Sequence, residues 1–235
     1  MILKLNFSII FNKDTLSLLG KAYGWTLAIT VMALIIGIII GTILAVFMVL
    51  PKTNFLNKAL NGFAQTYLAI IRGTPSLVQL MIIYFIIFAN VTFFNSDELS
   101  PYFIAAIGFG INSGAYVAEI MRAGINSVDK GQMEAGRALG LSYGATMKSV
   151  ILPQSARNIL PPLGNEAIIL VKETSVALII GVSEFFTTIK SIVTTTYNVI
   201  TPYLFAAAVY FVTVYIMTIL LKILERRLSK SDRRN

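Results

Sequence analysis

Residues 24–50, with the sequence GWTLAITVMALIIGIIIGTILAVFMVL, form an uninterrupted run of 27 uncharged and mostly apolar side chains. A bilayer core of about 30 Å is crossed by roughly 20 helical residues, so this run is long enough to span a membrane. Four more apolar regions follow it, at residues 55–89, 102–121, 160–182 and 202–224. The sequence therefore predicts an all-α integral membrane protein with about five transmembrane helices.

The composition agrees with membrane burial. Of the 235 residues, 56% are hydrophobic and only 13% are charged, which leaves too few polar side chains to cover a soluble domain of this length. The net charge of +8 would suit a nucleic-acid-binding protein, but the charges lie in loops and at the C-terminal end, between the apolar runs. The chain has no cysteine and no histidine, which excludes disulfides, thiol chemistry, histidine metal sites and imidazole catalysis.

The distribution of basic residues predicts the orientation of the chain in the membrane. Placing the 122–159 loop and the C-terminal tail in the cytoplasm puts thirteen Lys and Arg residues inside and leaves four outside. Because cytoplasmic loops carry the excess of Lys and Arg, this arrangement predicts an N-out/C-in topology, which five spans satisfy. The inside residues are Lys52, Lys58, Arg122, Lys130, Arg137, Lys148, Arg157, Lys222, Arg226, Arg227, Lys230, Arg233 and Arg234, and the outside ones are Lys4, Lys13, Lys21 and Lys190.

The chain is predicted to contain one membrane domain, residues 22–225, flanked by two short segments. Residues 1–21 do not have the pattern of a cleaved signal peptide. They are expected to form either an amphipathic helix on the outer membrane surface or a poorly ordered leader. Residues 226–235 are predicted to form a basic cytoplasmic tail.

The second apolar region is interrupted at Arg72-Gly73-Thr74-Pro75, where glycine and proline should break the helix. We expect a slanted or interfacial helix up to Ile71 and the main span from Ser76. Unwound backbone beside such a break can hydrogen-bond polar ligands, with Thr74 as the first candidate contact; the alternative is a structural kink that lets two helices cross. Arg72 is expected to lie in an interface or an ion pair.

Residues 131–153, GQMEAGRALGLSYGATMKSVILP, predict a helix–turn–helix at the inner face of the membrane. Gly140 suits the left-handed position that ends the first helix, and Ser142 is a plausible N-cap for the second. The second helix is expected to stop before Pro153. Small residues on the first helix would let the surface of another protein approach its backbone closely.

This loop resembles the "EAA" loop of the permeases of ATP-binding cassette (ABC) importers. The resemblance rests on Glu134-Ala135-Gly136, on Gly140, and on the element at residues 150–153, VILP. Gly136 stands where the family usually has a second alanine. The resemblance implies a type I ABC importer permease (MetI-like) fold in which the short helix slots into a groove of an ATPase subunit. The ATPase-coupling residues that it implies are Glu134, Ala135, Gly136, Arg137, Gly140 and Leu141.

Three further segments resemble the polar amino acid uptake branch of that family: residues 72–80, RGTPSLVQL; residues 112–119, NSGAYVAE; and residues 163–175, LGNEAIILVKETS. The resemblance implies a multi-pass protein of the bacterial inner membrane. It also implies as partners a cytoplasmic ATPase dimer, a second copy or a related permease, and an extracellular or periplasmic amino-acid-binding protein. The chain has no Gly-x-x-x-x-Gly-Lys-Ser/Thr motif, so ATP and Mg²⁺ are expected to be used by the partner ATPase and no cofactor is expected on this chain, which is predicted not to be an enzyme.

Charged and polar residues within the predicted spans need an explanation, because each charge costs about 2.5–3.5 kcal/mol at the bilayer centre. In the fourth span, Asn165 and Lys172 lie seven residues apart, as do Glu166 and Glu173, so they form a polar stripe on one face. The predicted substrate pathway consists of Gly73, Thr74, Pro75, Asn112, Asn165 and Glu166. The predicted intramembrane ion network or gate consists of Glu119, Lys172 and Glu173.

Two interpretations of Glu166 remain open at this stage. Its carboxylate could bind the ammonium group common to all amino acids or a cationic side chain. Alternatively, Glu166, Lys172 and Glu173 could pair with each other or across a dimer to hold helices together. At the level of the whole chain, the competing function is an ion-gradient-driven secondary transporter or channel, which the EAA-like loop argues against.

Overall fold

The computed structural model describes residues 5–89 and 100–232, which are folded almost entirely as helices and contain no β-strand. The helices are α1 (Lys13–Val49), α2 (Phe55–Arg72), α3 (Ser76–Ile82), α4 (Ser100–Asn126), α5 (Lys130–Ala138), α6 (Tyr143–Thr146), α7 (Leu152–Glu173), α8 (Phe185–Thr196) and α9 (Ile200–Asp232). Single π-helical turns extend α3 (Ile83–Ile87) and link α6 to α7 (Met147–Ile151), and 3-10 turns occur at Phe7–Ile9 and Thr174–Ile180.

Three helices in the described ranges, α1, α4 and α9, are each long and apolar enough to cross a membrane. Two bent helix pairs also qualify: α2 with Ser76–Ile87, bent by 105°, and Tyr143–Ile180 with α8, bent by 51°. Counting each pair as one span gives five, the number that the apolar runs predict. The N-out/C-in orientation stays a prediction, and Lys4, Arg233 and Arg234, which entered it, lie outside the described residues.

The centre of the fold is the contact between α1 and α4, which depends on two pairs of glycines. A Cβ on Gly37 or Gly41 of α1 would lie within 2.8 Å of Ser113 or Val117 on α4. On α4, Gly110 and Gly114 meet α1 just as closely. Each pair has the Gly-x-x-x-Gly spacing that brings two helix backbones together in membranes. The two glycine pairs therefore let the backbones of α1 and α4 pack closely together.

The outer face of α1 carries apolar side chains that are about half exposed, at Val31, Ile35, Ile39, Ile43 and Val46. Their spacing of three to four residues puts them on one side of the helix, opposite the side that meets α4. A continuous stripe of this kind is expected where a helix faces lipid.

The predicted N-terminal segment is divided between two elements. A 3-10 turn occupies Phe7–Ile9, whereas α1 already begins at Lys13. The start is fixed by Asn12, whose side chain accepts a hydrogen bond from the backbone N–H of Thr15 at 2.8 Å. The backbone N–H of Asn6 donates to Thr201 Oγ1 at 2.8 Å, which ties the turn to the start of α9. Residues 13–21 therefore continue directly into the first span.

The prediction that the second loop helix stops before Pro153 is wrong. The chain stays helical from Tyr143 to Glu173, with a π turn at Met147–Ile151 and Pro153 in the first turn of α7. In the π turn the N–H of Leu152 bonds to the carbonyl of Met147, so the hydrogen-bond pattern restarts just before the proline. Proline is tolerated there because the first turn of a helix needs no N–H donor from it. The side chain of Gln154 donates to the Val150 carbonyl at 3.0 Å.

Candidate functional site

A cavity of about 730 Å³ lies between the end of α2, the second half of α4 and the middle of α7. It follows α4 from Tyr116 to Ser127, a distance of about 16 Å along the helix. Its far end therefore lies next to the turn that leads into α5. The lining residues are Arg72, Tyr116, Glu119, Ile120, Ala123, Gly124, Ser127, Asn158, Pro162, Asn165, Glu166 and Ile169.

Two of the predicted pathway residues, Asn165 and Glu166, line this cavity on α7. Asn165 is exposed, whereas Glu166 is only 5% exposed. Glu166 Oε1 accepts a hydrogen bond from the Ser113 hydroxyl at 2.8 Å, which fixes its carboxyl group against α4. Ser113 was not singled out as a carboxylate partner from the sequence, because it lies 53 residues away along the chain. The carboxyl group is thus both held in place and at the cavity wall.

The part of the cavity wall formed by α2 and α4 carries a cation, Arg72, and a carboxylate, Glu119, that is held in a salt bridge. Arg72 places its guanidinium carbon 5.8 Å from the centre of the Tyr116 ring, within range of a cation–π interaction. Glu119 forms a salt bridge with Arg122, one turn further along α4, and Arg122 Nε donates to Glu119 Oε2 at 3.1 Å. Within residues 5–89 and 100–232 Arg72 makes no salt bridge, and of the two expected settings, an interface or an ion pair, the interface stays a prediction.

The predicted break at residues 73–75 is present, and Gln79 holds it in place. Pro75 has no N–H to donate to the Ile71 carbonyl, and the side-chain nitrogen of Gln79 donates to that carbonyl at 2.7 Å. The same nitrogen lies within hydrogen-bonding distance of the carbonyl and the hydroxyl of Thr74. Gln79 Oε1 accepts from Asn112 Nδ2 at 2.9 Å, so the break is tied to α4.

The remaining predicted pathway residues do not line the cavity. Gly73, Thr74 and Pro75 are exposed beside Arg72, and the Thr74 hydroxyl donates to the Ile70 carbonyl at 2.8 Å. Asn112 is only 5% exposed and faces Gln79. The freed backbone groups of the break are therefore satisfied largely within the protein, and Gln79 is the residue that sequence reasoning missed.

The structure places the three residues of the predicted ion network in two positions, with Glu119 on α4 and with Lys172 and Glu173 adjacent at the end of α7. Glu119 pairs with Arg122, which was not part of the prediction. Lys172 is exposed and lines a separate groove with Tyr203 and Tyr210, and Glu173 lies at the end of α7. In the part of the chain that the structure describes, neither Lys172 nor Glu173 forms a salt bridge.

The predicted loop is a helix–turn–helix in which the end of the first helix and the start of the second lie where the sequence predicts. Gly140 adopts a left-handed conformation with φ of +83°, and the Ser142 side chain accepts from the N–H of Ala145. Arg137 donates to the carbonyl of Leu141 at 3.0 Å and so closes the turn. Glu134 and Ala135 are exposed on α5, whereas Gly136 is buried against α6.

Leu139 is a further feature of this loop that the sequence analysis did not select. Its side chain is 83% exposed at the tip of the turn, next to Gly140. A large apolar side chain with so little cover, on a short polar helix, is typical of a surface that binds another protein. The available signal was a leucine in the short turn that joins the two loop helices.

Glu184 was also missed, although it is completely buried. It caps α8 by accepting from the backbone N–H of Thr187 at 2.7 Å, and it accepts from the hydroxyl of Thr26 on α1 at 3.0 Å. The Tyr210 hydroxyl on α9 is 3.5 Å away. Glu184 therefore joins three helices at the end of the bundle opposite the loop.

Residues 37–230 match the family described as the binding-protein-dependent transport system inner membrane component. This chain belongs to that family. The putative glutamine transport system permease protein of Rickettsia bellii is 41% identical over 203 residues, covering 86% of this chain and 89% of the relative. The arginine transport system permease protein of Bacillus subtilis is 38% identical over 206 residues, covering 88% and 92%.

Solved structures give the same result for the fold. The permease matches the crystal structure of an amino acid ABC transporter with histidines at a TM-score of 0.83 and 36% identity, covering 96% of this chain and all of that chain. An inward-facing MetNI methionine ABC transporter matches at a TM-score of 0.78 and 19% identity, which shows the fold alone. The chain is thus an all-helical, multi-pass ABC permease of the bacterial inner membrane with the expected MetI-like fold.

Proposed function

We propose that this permease carries polar amino acids inward along the cavity between α2, α4 and α7, and that α5 transmits the movements of a partner ATPase. The observation that carries the proposal is the cavity wall, where Glu166 and Arg72 present opposite charges next to neutral polar groups. A carboxylate and a guanidinium are complementary to the ammonium and carboxylate groups shared by all amino acids. The relatives named for glutamine and arginine transport support the same substrate class.

The structure of the loop supports the part of the proposal in which a partner ATPase supplies the energy for transport. Glu134, Ala135 and Leu139 are exposed on or next to α5, while Gly136 anchors the helix to α6. A rigid helix–turn–helix that is continuous with α7 can pass a displacement of its tip to the cavity wall, because Glu166 lies on that same helix. The ATPase-coupling residues remain those proposed from the loop motif, with Leu139 added.

The remaining partners follow from the family. An inner membrane component of a binding-protein-dependent system requires a binding protein outside the membrane and ATPase subunits inside it. We place a second permease, identical or related, beside this one, with ATP and Mg²⁺ held by the ATPases. In this arrangement Lys172 and Glu173, which have no salt bridge within the described part of the chain, are available as contacts for the second permease.

Reconstitution tests the proposal directly. The permease, its ATPase and its binding protein are placed in liposomes, and uptake of radiolabelled amino acids is measured with ATP inside or outside. We expect uptake that requires ATP on the ATPase side, and a Glu166→Gln variant that inserts normally but takes up substrate at least about tenfold more slowly. Uptake that is driven by an ion gradient without ATP, or unchanged by Glu166→Gln, would contradict the proposal.

A further inference from the structure

The turn between α8 and α9 lies at the end of the permease opposite the helix–turn–helix loop. Just before α1, the backbone N–H of Asn6 donates to Thr201 at the start of α9. At the other end of α1, the Tyr143 hydroxyl of the loop donates to the Val49 carbonyl at 3.4 Å. The 37 residues of α1 separate these two contacts by about 55 Å. With the loop against the ATPase, as in the proposed function on which this inference rests, the turn lies on the outer side of the membrane.

The exposed side of α8 is polar, whereas that of α9 is apolar. The exposed residues of α8 include Lys190, Ser191, Thr194 and Thr195. The large exposed side chains of α9 include Leu204, Phe211, Val212, Ile216 and Leu220. A helix that faces lipid exposes apolar side chains, as α9 does. The exposed side of α8 is therefore suited to water or to a polar partner and not to lipid.

Tyr197 ends α8 in a left-handed backbone conformation, with φ of +54°. In the part of the chain that the structure describes, it is the one residue other than glycine with a positive φ. The conformation is costly for a residue with a large side chain, and glycine or asparagine would adopt it more easily. The Tyr197 side chain is 80% exposed, so packing within this chain offsets little of that cost. Strained backbone of this kind concentrates at binding sites.

The backbone on both sides of Tyr197 is firmly held. The Thr196 hydroxyl donates to the Ile192 carbonyl at 2.6 Å, within the last turn of α8. Asn198 is only 9% exposed, and its side-chain oxygen accepts from the backbone N–H of Thr201 at 3.1 Å. The aromatic ring thus projects from a fixed turn. A side chain presented in this way loses little backbone entropy when a partner covers it.

Lys190 adds a positive charge to the same side of α8. It lies seven residues before Tyr197, which is about two helical turns and about 10 Å along the axis. Between them lie the hydroxyl groups of Ser191 and Thr194. An exposed tyrosine with polar neighbours and a charge at the rim has the composition of a surface that binds a soluble protein. The cation favours a partner that presents acidic side chains.

We infer that Lys190, Ser191, Thr194, Thr195 and Tyr197 form the docking surface for the extracellular or periplasmic binding protein. The family is described as binding-protein-dependent, so a soluble protein must dock on the side of the membrane away from the ATPase. Tyr197 is the central anchor, and the binding protein covers its ring in the complex. Lys190 lies at the rim and attracts acidic groups of the binding protein, which speeds association.

The test uses the purified permease–ATPase complex in nanodiscs and the purified binding protein of the same system, loaded with its amino acid. Binding kinetics and stimulation of the ATPase are measured against binding-protein concentration. Tyr197→Asn should weaken binding at least about tenfold, mainly through faster dissociation. Its melting temperature should be unchanged or about 2–4 °C higher, because asparagine tolerates the left-handed conformation.

Lys190→Glu should have a different kinetic effect. Reversing a rim charge should slow association by about three- to tenfold at low salt and leave dissociation nearly unchanged. The difference from the unmodified complex should shrink at high salt, because screening weakens the attraction.

Phe55→Asn is the matched control, since Phe55 is 87% exposed at the start of α2, near the loop end of α1. It removes an equally exposed ring from the opposite side of the membrane and should leave binding-protein affinity unchanged. Tyr197→Asn with the affinity of Phe55→Asn would overturn the inference and assign the ring to the membrane surface. A Tyr197→Asn complex that melts several degrees lower, or that loses its second permease on size exclusion, would also overturn it. An unmodified complex that neither responds to the binding protein nor takes up any amino acid would instead remove the proposed function.

Discussion

Gly136 on α5 packs against Thr146 on α6 so closely that a Cβ on residue 136 would lie 2.4 Å from the Thr146 side-chain methyl carbon. Thr146 is fully buried, and its hydroxyl donates to the Ser142 carbonyl at 3.0 Å, so it cannot move away easily. Gly136, which stands where the family usually has alanine, therefore leaves the space that the side chain of Thr146 occupies, ten residues later in the sequence.

We predict that Gly136→Ala destabilises the loop even though alanine is the better helix former. Overpacking costs about 1–3 kcal/mol and exceeds the gain of about 1 kcal/mol from helix propensity. Thr146→Ala should relieve the contact, so the double variant should recover the stability that Gly136→Ala loses. The measurement is the thermal stability of the purified permease–ATPase complex in a double-mutant cycle.

The matched control for this cycle is Gly144→Ala, because residue 144 lies in the same loop and a Cβ added there would have no neighbouring atom within 4 Å. It should be neutral or slightly stabilising. If Gly136→Ala and Gly144→Ala behave alike, the contact with Thr146 does not constrain this loop.

Leu139 and Glu134 give a second prediction, which concerns binding of the ATPase. Burying an exposed leucine contributes about 1.5–3 kcal/mol, so Leu139→Ser should weaken ATPase binding by about 10- to 100-fold if the loop tip is the docking surface. Glu134→Lys should have a similar effect by reversing the charge. Titration of the nanodisc-embedded permease with purified ATPase measures the affinity, and membrane insertion should be unchanged. ATPase binding as strong as that of the Gly144→Ala variant would place the docking surface elsewhere.

The parts of this fold that follow from local sequence could be predicted, and those that depend on distant contacts could not. Apolar runs revealed the spans, and glycine and proline revealed the break before α3 and the left-handed turn at Gly140. The π turn before Pro153 was missed because the sequence pattern around it is that of an ordinary helix. Within the site, periodicity placed Asn165 and Glu166 on the cavity side of α7, but it could not reveal that Arg122, rather than Lys172, pairs with an acidic residue.

Gln79 provides a third prediction, about the break in the second apolar region. Gln79→Leu keeps the approximate volume but leaves the Ile71 and Thr74 carbonyls and the Asn112 amide without their partner. Buried polar groups left unsatisfied cost about 1–3 kcal/mol each, so the melting temperature of the complex should fall by several degrees. Uptake should also decrease, because Arg72 lies directly before the break.

Gln65→Leu on α2 is the appropriate control, since Gln65 is exposed and its side chain makes a weak contact with the Met48 sulfur at 3.5 Å. This variant should melt close to the unmodified protein. A Gln79→Leu protein as stable as Gln65→Leu would show that water or backbone rearrangement satisfies the break without the glutamine.

Glu184 gives the last prediction, because substitutions can separate the contribution of its hydrogen bonds to stability from that of its negative charge. Glu184→Ala removes the cap of α8, takes the acceptor from the partly buried Thr187 hydroxyl, and leaves the buried Thr26 hydroxyl only the Ala22 carbonyl at 3.4 Å. We expect a loss of about 3–5 kcal/mol, measured as a large drop in thermal stability.

Glu184→Gln keeps an oxygen for the Thr187 N–H and an amide that the rotatable hydroxyls can accept from, so its loss should stay below about 1.5 kcal/mol. Ser183→Ala, at the exposed neighbour, should be neutral. A Glu184→Gln variant as unstable as Glu184→Ala would mean that the negative charge itself, rather than the set of hydrogen bonds, joins α1, α8 and α9.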